Sequence, residues 1–337
     1  MASIHPRLTD EQLARIYAEQ IRPYLFDPDP RPQQQPTLIL LGGQPGAGKS
    51  RATARILAQH DQPVIPLTGD DLRMFHPRYL DLVHTNPVAA PTLLAQATAP
   101  WVRGCINHAR DTRQSLLLEG TFHDPAVTLR TAQQFADAGY TVRVVIAAAS
   151  RAESLLAVTS RYLHDRQQGH PARYTSRSAH DRGWDGTAAL AAQLDDARQI
   201  HRVSIIDRTG DFTYDTTRDP DGFRGASAAL TQARNATWGA RTAVEWLGEL
   251  RRVTHYARQT GQVDQGTGEL LTALHETALR DITPTVPLPK GSRARSELER
   301  RLAHNLVGLR RTLATTSTDP AAPVTPAPDA APDLTRS

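Results

Sequence analysis

Eight consecutive residues, Gly43-Gln44-Pro45-Gly46-Ala47-Gly48-Lys49-Ser50, constrain this chain more than any other stretch. They fit G-x-x-x-x-G-K-[ST], the glycine-rich loop that cradles the phosphates of a nucleoside triphosphate. The context fits as well. Thr37-Leu38-Ile39-Leu40-Leu41 before the loop is a short apolar run that reads as a buried strand. Arg51 to Ala58 after it is rich in helix formers. Strand, loop and helix in this order bring backbone N–H groups and a helix N-terminus together on an anion. Gly43, Gly46 and Gly48 let the backbone turn tightly and approach phosphate closely. In such a loop the lysine, here Lys49, reaches the β- and γ-phosphates, and the hydroxyl of Ser50 sits on Mg²⁺. ATP and magnesium are therefore the expected cofactors.

A loop of this kind needs a sheet around it, and the rest of the chain supplies one. Pro63–Leu67, Ser115–Leu118, Tyr140–Ile146 and Val203–Asp207 are further apolar runs, and helical stretches separate them. Strands alternating with helices predict an α/β fold, a P-loop kinase-like parallel sheet with helices on both faces. The last of these strands is expected to end the sheet, with a short hairpin around Phe212-Thr213-Tyr214. Before the sheet, an amphipathic helix is expected from Leu8 to Arg22, capped by Thr9 with Gln12 and stopped by Pro23. Further helices are expected over 86–113, 125–138, 150–168 and 188–199, the one from Ser150 to Gln168 breaking at Gly169-His170-Pro171 and continuing through Arg173, Arg177 and Arg182. From Ala226 the pattern changes to helices over 226–259, 267–281 and 292–315, a C-terminal helical appendage. The Pro/Ala/Thr/Asp tail from Thr316 has too little apolar mass to order. The expected organisation is an N-terminal helix and linker (1–35), a kinase domain (36–225), a helical extension (226–315) and a disordered tail (316–337).

Composition narrows the function. Among 337 residues no apolar run is long enough to span a bilayer. Met1–Pro6 shows no basic region followed by an apolar one, so a cytoplasmic protein is expected. A single cysteine, Cys105, excludes an internal disulfide and a thiolate metal cluster, and reads as a small buried residue. A net charge of +4 suits anionic substrates and makes no case for nucleic acid. The arginine-rich helix near 292–315 reads as a solvated basic face.

Phosphoryl transfer to a hydroxyl needs a base, a metal site and positive charge over the transferred group. Asp70 or Asp71, just after a strand, can supply the base, or either can simply cap the helix that follows. Glu119, stranded after three leucines, needs a partner if buried: a ligand hydroxyl, a metal or an arginine such as Arg73. Arg161, Arg166 and Arg173 surround a helix break and can close over a triphosphate.

These motifs in this order resemble the zeta toxin family. The resemblance rests on the phosphate loop, Gly69-Asp70-Asp71-Leu72-Arg73 with His76-Pro77-Arg78-Tyr79, and Glu119-Gly120-Thr121. Arg161-Tyr162, Gly169, Pro171-Ala172-Arg173-Tyr174 and His180-Asp181 extend it, so that it covers roughly residues 36–215. Members are the toxic half of bacterial toxin–antitoxin pairs. They are kinases that phosphorylate UDP-N-acetylglucosamine at the sugar's 3′-hydroxyl and starve cell-wall synthesis. The resemblance implies that Asp70 is the general base, that Lys49 and Ser50 keep their phosphate-loop roles, and that Glu119 and Thr121 bind the acceptor. It implies Arg161 and Arg173 over the phosphates, and an antitoxin protein as partner. One position departs from the pattern: where better-known members carry an acidic residue that helps hold the sugar, this chain has Arg103. Two other functions stay open, a phosphotransferase for another hydroxylated small molecule (an antibiotic or a nucleotide) and a non-catalytic nucleotide-dependent binding module.

Overall fold

The computed structural model describes residues 7–316. They form two compact units. The first comprises the chain up to Ala149 together with Asp181–Arg234, and the second comprises Ser150–His180 together with the described chain from Asn235 onward.

The first unit holds a six-stranded sheet: β1 (Thr37–Gly42), β2 (Val64–Thr68), β3 (Ser115–Gly120), β4 (Thr141–Ala147), β5 (Arg202–Ile206) and β6 (Phe212–Thr217). Their spatial order is β2-β3-β1-β4-β5-β6. The main helices, in chain order, are α1 (Asp10–Ile16), α2 (Lys49–Leu57), α3 (Ala90–Asp111), α4 (Pro125–Asp137), α5 (Arg151–Gln167), α6 (Arg177–Ala191), α7 (Ala226–Arg234), α8 (Ala240–Gln259), α9 (Gln265–Thr277) and α10 (Arg293–Thr316).

β1 lies inside the sheet, and its side chains alternate between two cores. Leu38 and Leu40 pack with Trp101, Phe135, Val142 and Val144 on one face, while Ile39 and Leu41 pack with Ala52, Ile56, Leu117 and Val145 on the other. Burial on both faces explains why the strand reads as an unbroken apolar run. Each such side chain contributes about 1.5–3 kcal/mol. Pro66 is tolerated within β2 because that strand is at the edge and pairs only with β3.

The sheet is parallel as expected except at one edge. β1 to β5 are parallel, but β6 runs antiparallel to β5. The cause is the turn between them. Asp207 Oδ1 accepts hydrogen bonds from the backbone N–H groups of Thr209 (2.8 Å), Gly210 (3.1 Å) and Asp211 (3.0 Å), and Gly210 takes φ +96°. So tight a reversal returns the chain beside the strand it left. The hairpin expected near Phe212 is this last strand, so Val203–Asp207 does not end the sheet.

Three helix expectations are corrected. The first helix has the expected Thr9–Gln12 capping box but runs through Pro23, by way of a π turn at Tyr17–Ile21, to Leu25. Pro23 follows directly on the π turn, where the Arg22 N–H bonds back to the Tyr17 carbonyl and the i→i−4 ladder is already interrupted. The continuation expected through Arg173 is not helical before Arg177, and a single helix from Arg177 to Ala191 takes the place of its later part and of the helix expected over 188–199. Within α6, Gly183 and Gly186 serve close approach. A Cβ on Gly186 would lie 2.4 Å from the Phe122 carbonyl oxygen, and one on Gly183 would lie 3.1 Å from Gln44 Cα. The stretch 226–259 is two helices, α7 and α8, separated by Asn235–Gly239.

The second unit is a helical assembly with its own core, to which α5 gives Leu156 and Tyr162, α8 gives Trp246 and Leu250, and α9 gives Leu271. Ser150 and Glu153 form a capping box on α5. The Trp246 indole donates to the Ala152 carbonyl at 3.0 Å. The segment between α5 and α6 is anchored by Tyr174, whose ring meets Tyr162 edge-on at 5.3 Å and whose hydroxyl lies over Gly266. On α10, Arg295 pairs with Glu299, Arg300 and Arg301 with Glu297, and Arg310 with Glu276, as a solvated charged face does. A cavity of about 550 Å³ in this unit is lined by Leu247, Leu250, Arg251, His275 and Leu298 among others. Among the described residues no helix is long and apolar enough to cross a membrane. Cys105 is buried, which pushes its thiol up to about 12. Of the expected tail only Thr316 falls within the described residues.

Candidate active site

The loop, Glu119 and Asp70 leave the sheet at one place. Gly42 is in register with Gly120, Leu41 with Glu119, and Thr68 with Glu119. The carboxyl ends of the neighbouring strands β1, β3 and β2 therefore carry, in turn, the loop, Glu119-Gly120-Thr121 and, two residues past Thr68, Asp70. β1 has β3 on one side and β4 on the other, so the chain order reverses across it. Open α/β sheets bind their ligands outside strand ends at such a reversal.

Within the loop, Gly46 (φ +81°) and Gly48 (φ +96°) hold left-handed backbone that a side chain would strain. A Cβ on Gly43 would lie 2.8 Å from the Ala147 carbonyl oxygen. Gln44, Pro45 and Ala47 are buried, while Ser50, in the first turn of α2, is exposed. The Lys49 ammonium is held across the loop, donating to the carbonyls of Gly43 (3.0 Å) and Gln44 (3.4 Å). The loop thus closes round its own cation.

Asp70 lies in a single helical turn, Gly69–Leu72. The capping task falls to Thr68, whose hydroxyl accepts from the Asp70 N–H at 3.3 Å. Asp71 is exposed. Asp70 pairs with Arg73 at 3.0 Å. Arg73 is mostly buried, which pushes its guanidinium down, and its Nε has no acceptor among the described residues. The ion pair with Asp70 is made through its Nη1. Glu119 meets α2 instead: its Oε2 is 3.5 Å from the Thr53 hydroxyl. The Thr121 hydroxyl is 3.0 Å from His123 Nδ1. Between them Phe122 takes a left-handed φ of +54°, and its ring packs so closely on Gly42 that any Cβ there would clash.

Arg103 is half-buried on α3, one residue from Val102, which lies 3.5 Å from a Cβ placed on Gly69. Arg161 and Arg173 belong to the second unit. Arg161 is exposed on α5, and Arg173 is partly buried in the segment before α6, where desolvation pushes its guanidinium down. Arg166 and Arg177 are exposed.

Three features of the site escaped the sequence. Arg234, at the end of α7, reaches Gln44. Gly183 of α6 backs the loop. Arg208, after β5, accepts a hydrogen bond from Arg51 at its carbonyl (2.7 Å) and sets its Cα 3.7 Å from a Cβ placed on Gly48.

The zeta toxin family model matches residues 25–219, more than half of the chain. This protein belongs to the zeta toxin family. Toxin PezT of Streptococcus pneumoniae is 26% identical over 213 residues, covering 62% of this chain and 82% of that protein. Toxin zeta of Enterococcus hirae is 28% identical over 189 residues, 56% of this chain and 66% of that one. Among solved structures, one from the PezAT chromosomal toxin–antitoxin system of Streptococcus pneumoniae superposes with a TM-score of 0.62 at 21% identity, covering 74% of this chain and 98% of that one. The zeta toxin match takes in the whole sheet, β1 to β6, and ends before α7. The α/β fold with the loop at its centre is accordingly the family's fold.

Proposed function

We propose that this zeta toxin family member is an ATP-dependent phosphotransferase with an alcohol acceptor, acting on a sugar hydroxyl of UDP-N-acetylglucosamine. The supporting observation is the meeting of the phosphate loop, Asp70 and Glu119 at the ends of three adjacent strands. Backbone amides from Gly43 to Gly48 receive the phosphates, and Lys49 moves its charge from the loop carbonyls to the β- and γ-phosphates. Asp70, oriented by Arg73, takes the proton of the acceptor hydroxyl as its oxygen bonds to the γ-phosphorus and the bond to the β-phosphate oxygen breaks. ADP leaves with that oxygen. Glu119 and Thr121 hold the acceptor. Arg161 and Arg173 act on the charge of the transferring group, which a guanidinium spreads better than an ammonium.

Among the described residues no group of three or more metal-ligating side chains exists. Magnesium is commonly held by one or two protein oxygens together with nucleotide phosphates and water. Ser50, exposed at the start of α2, is the residue that would hold it. Held there with nucleotide, magnesium would supply charge that neutralises the phosphates. Such chemistry belongs in the cytoplasm, where it would deplete a cell-wall precursor, and an antitoxin protein is the partner that would restrain it.

Arg103 favours a second acceptor class. A guanidinium donates only, and best to phosphate or carboxylate, so a substrate carrying an anion near the acceptor hydroxyl suits it better than a neutral sugar. The deciding experiment incubates the protein with labelled ATP and a panel of nucleotide sugars, nucleotides and hydroxylated antibiotics, with Lys49→Ala as control. Label in UDP-N-acetylglucosamine, absent with the variant, supports the first reading. Label in another acceptor supports the second. Nucleotide binding without transfer to any of them would make the protein a nucleotide-dependent binding module.

A further inference from the structure

The loop's buried polar side chain is anchored from far along the chain. Gln44 is fully buried and uses both ends of its amide. Its Nε2 donates to the Ala149 carbonyl, just past β4, at 3.1 Å. Its Oε1 accepts from Arg234 Nη2 at 3.3 Å, across 190 residues of sequence.

Arg234 is an unusual residue to find there. It is 5% exposed, and no carboxylate among the described residues forms an ion pair with it, although Asp185 acts on it at longer range. Its Nη1 donates to the Trp184 carbonyl at 3.1 Å, its guanidinium lies 4.0 Å from the centre of the Trp184 ring, and its Nε is buried with no acceptor. Desolvation pushes its pKa down to about 10. Burying a cation without a counter-charge opposes folding, and removing its charge is by itself no loss of stability. What the guanidinium touches is the phosphate loop and the helix that backs it, since Gly183, next to Trp184, lies against Gln44 and Pro45.

We propose that Arg234 is a positioning residue for the phosphate loop. Through Gln44 it fixes the peptides whose carbonyls hold Lys49, and it places a permanent positive charge behind the site that receives phosphate. Gln44 falls within the family-matched segment, whereas Arg234 lies beyond its end at residue 219. The sheet domain of this chain therefore finishes its nucleotide site with a residue from the helix that follows. The inference rests on the phosphate-binding reading of the loop.

The test uses the full chain and three variants, Arg234→Met, Arg234→Lys and Gln44→Met, together with the double variant Gln44→Met/Arg234→Met. A non-hydrolysable ATP analogue reports affinity, and hydrogen exchange of amides 43–48 without nucleotide reports loop order. Arg234→Met should weaken the analogue about tenfold, as one hydrogen bond to a charged group is worth, and should speed exchange in the loop. Arg234→Lys, which keeps the charge and loses the fork, should recover part of the affinity. The double variant should bind no worse than the weaker single variant, because both remove one connection. Wild-type affinity and unchanged loop exchange in Arg234→Met, or single effects that multiply in the double variant, overturn the proposal. If Arg234→Met fails to fold, Arg234→Lys and Gln44→Met decide by the same readouts. If the wild-type protein binds no analogue, the phosphotransferase reading fails, and loop exchange alone then decides whether Arg234 positions the loop.

Discussion

In the first unit the chemistry sits on glycine and the ends of strands: Gly42 under the Phe122 ring, Gly46 and Gly48 in left-handed backbone, and Asp70 in a single turn. In the second unit the candidate phosphate-binding arginines sit on ordinary helix and connecting backbone, and packing is carried by large side chains such as Leu271, Tyr174 and Trp246. The first arrangement is intolerant of any added atom, because backbone geometry itself makes the site. The second tolerates change on its exposed faces and is sensitive in its core. The two regions should therefore fail in different ways: the first loses chemistry while staying folded, and the second loses fold first.

The largest effect expected is at Asp70. Asp70→Asn should lower turnover by roughly 10²–10⁴-fold, the range of positioned base catalysis, with affinity for the ATP analogue nearly unchanged. Asp71→Asn, at an exposed position, should stay close to wild type; the reverse pattern assigns the base to Asp71. In the second unit Leu271→Ala, at a fully buried site, should lower stability by about 2–5 kcal/mol, measured by denaturant unfolding. Affinity of the phosphate loop for the analogue should survive under conditions where this variant remains folded, and a parallel loss would break the contrast between the units.

Arg161→Ala and Arg173→Ala should each lower kcat by about 10²-fold and raise the KM for ATP less, as expected of charge stabilised mainly in the transition state. Arg166→Ala and Arg177→Ala should do little. Equal small effects at all four would reduce the second unit to scaffold. Arg103→Glu is expected to change turnover with UDP-N-acetylglucosamine by about tenfold, or 1.4 kcal/mol. A gain means that the pocket wants a carboxylate, a loss that Arg103 meets an anion, and no change removes Arg103 from the site.

The smallest effect concerns pH. His275 is buried in the second unit, where desolvation, against its bond to the Leu271 carbonyl and with the nearby Arg258 charge, holds its pKa below the ordinary 6.5. As pH falls, the unfolded chain takes up that proton before the folded one does. Stability should be whole above about 6.5 and decline as pH drops through that value toward the folded one. His275→Gln should flatten this acid limb in a melting-temperature series, and an unchanged limb would assign it to other groups.

Much of the first unit was legible because its determinants are local. An apolar run buried on both faces, a glycine loop and a helix stand within about twenty residues of one another, and Asp70 and Glu119 announce themselves by following strands. The alternation of strands and helices gave the α/β class by the same logic. What local pattern could not supply was every relation that spans the chain. The antiparallel β6 depends on Asp207 closing a turn, and the packing of α6 depends on Gly183 and Gly186 lying against Gln44 and Phe122.

The sequence by itself determined the loop, the strand that delivers it and the carboxylates that follow its neighbours, because periodicity and glycine placement act over a few residues. Tertiary structure alone decided that Arg73 pairs with Asp70 while Glu119 turns to Thr53. It alone grouped Ser150–His180 with the helices after Asn235, and it alone brought Arg234 to Gln44. A charged side chain carries no mark of its partner. The choice is made only when burial removes water and leaves it whichever acceptor the packed chain has placed within hydrogen-bond reach.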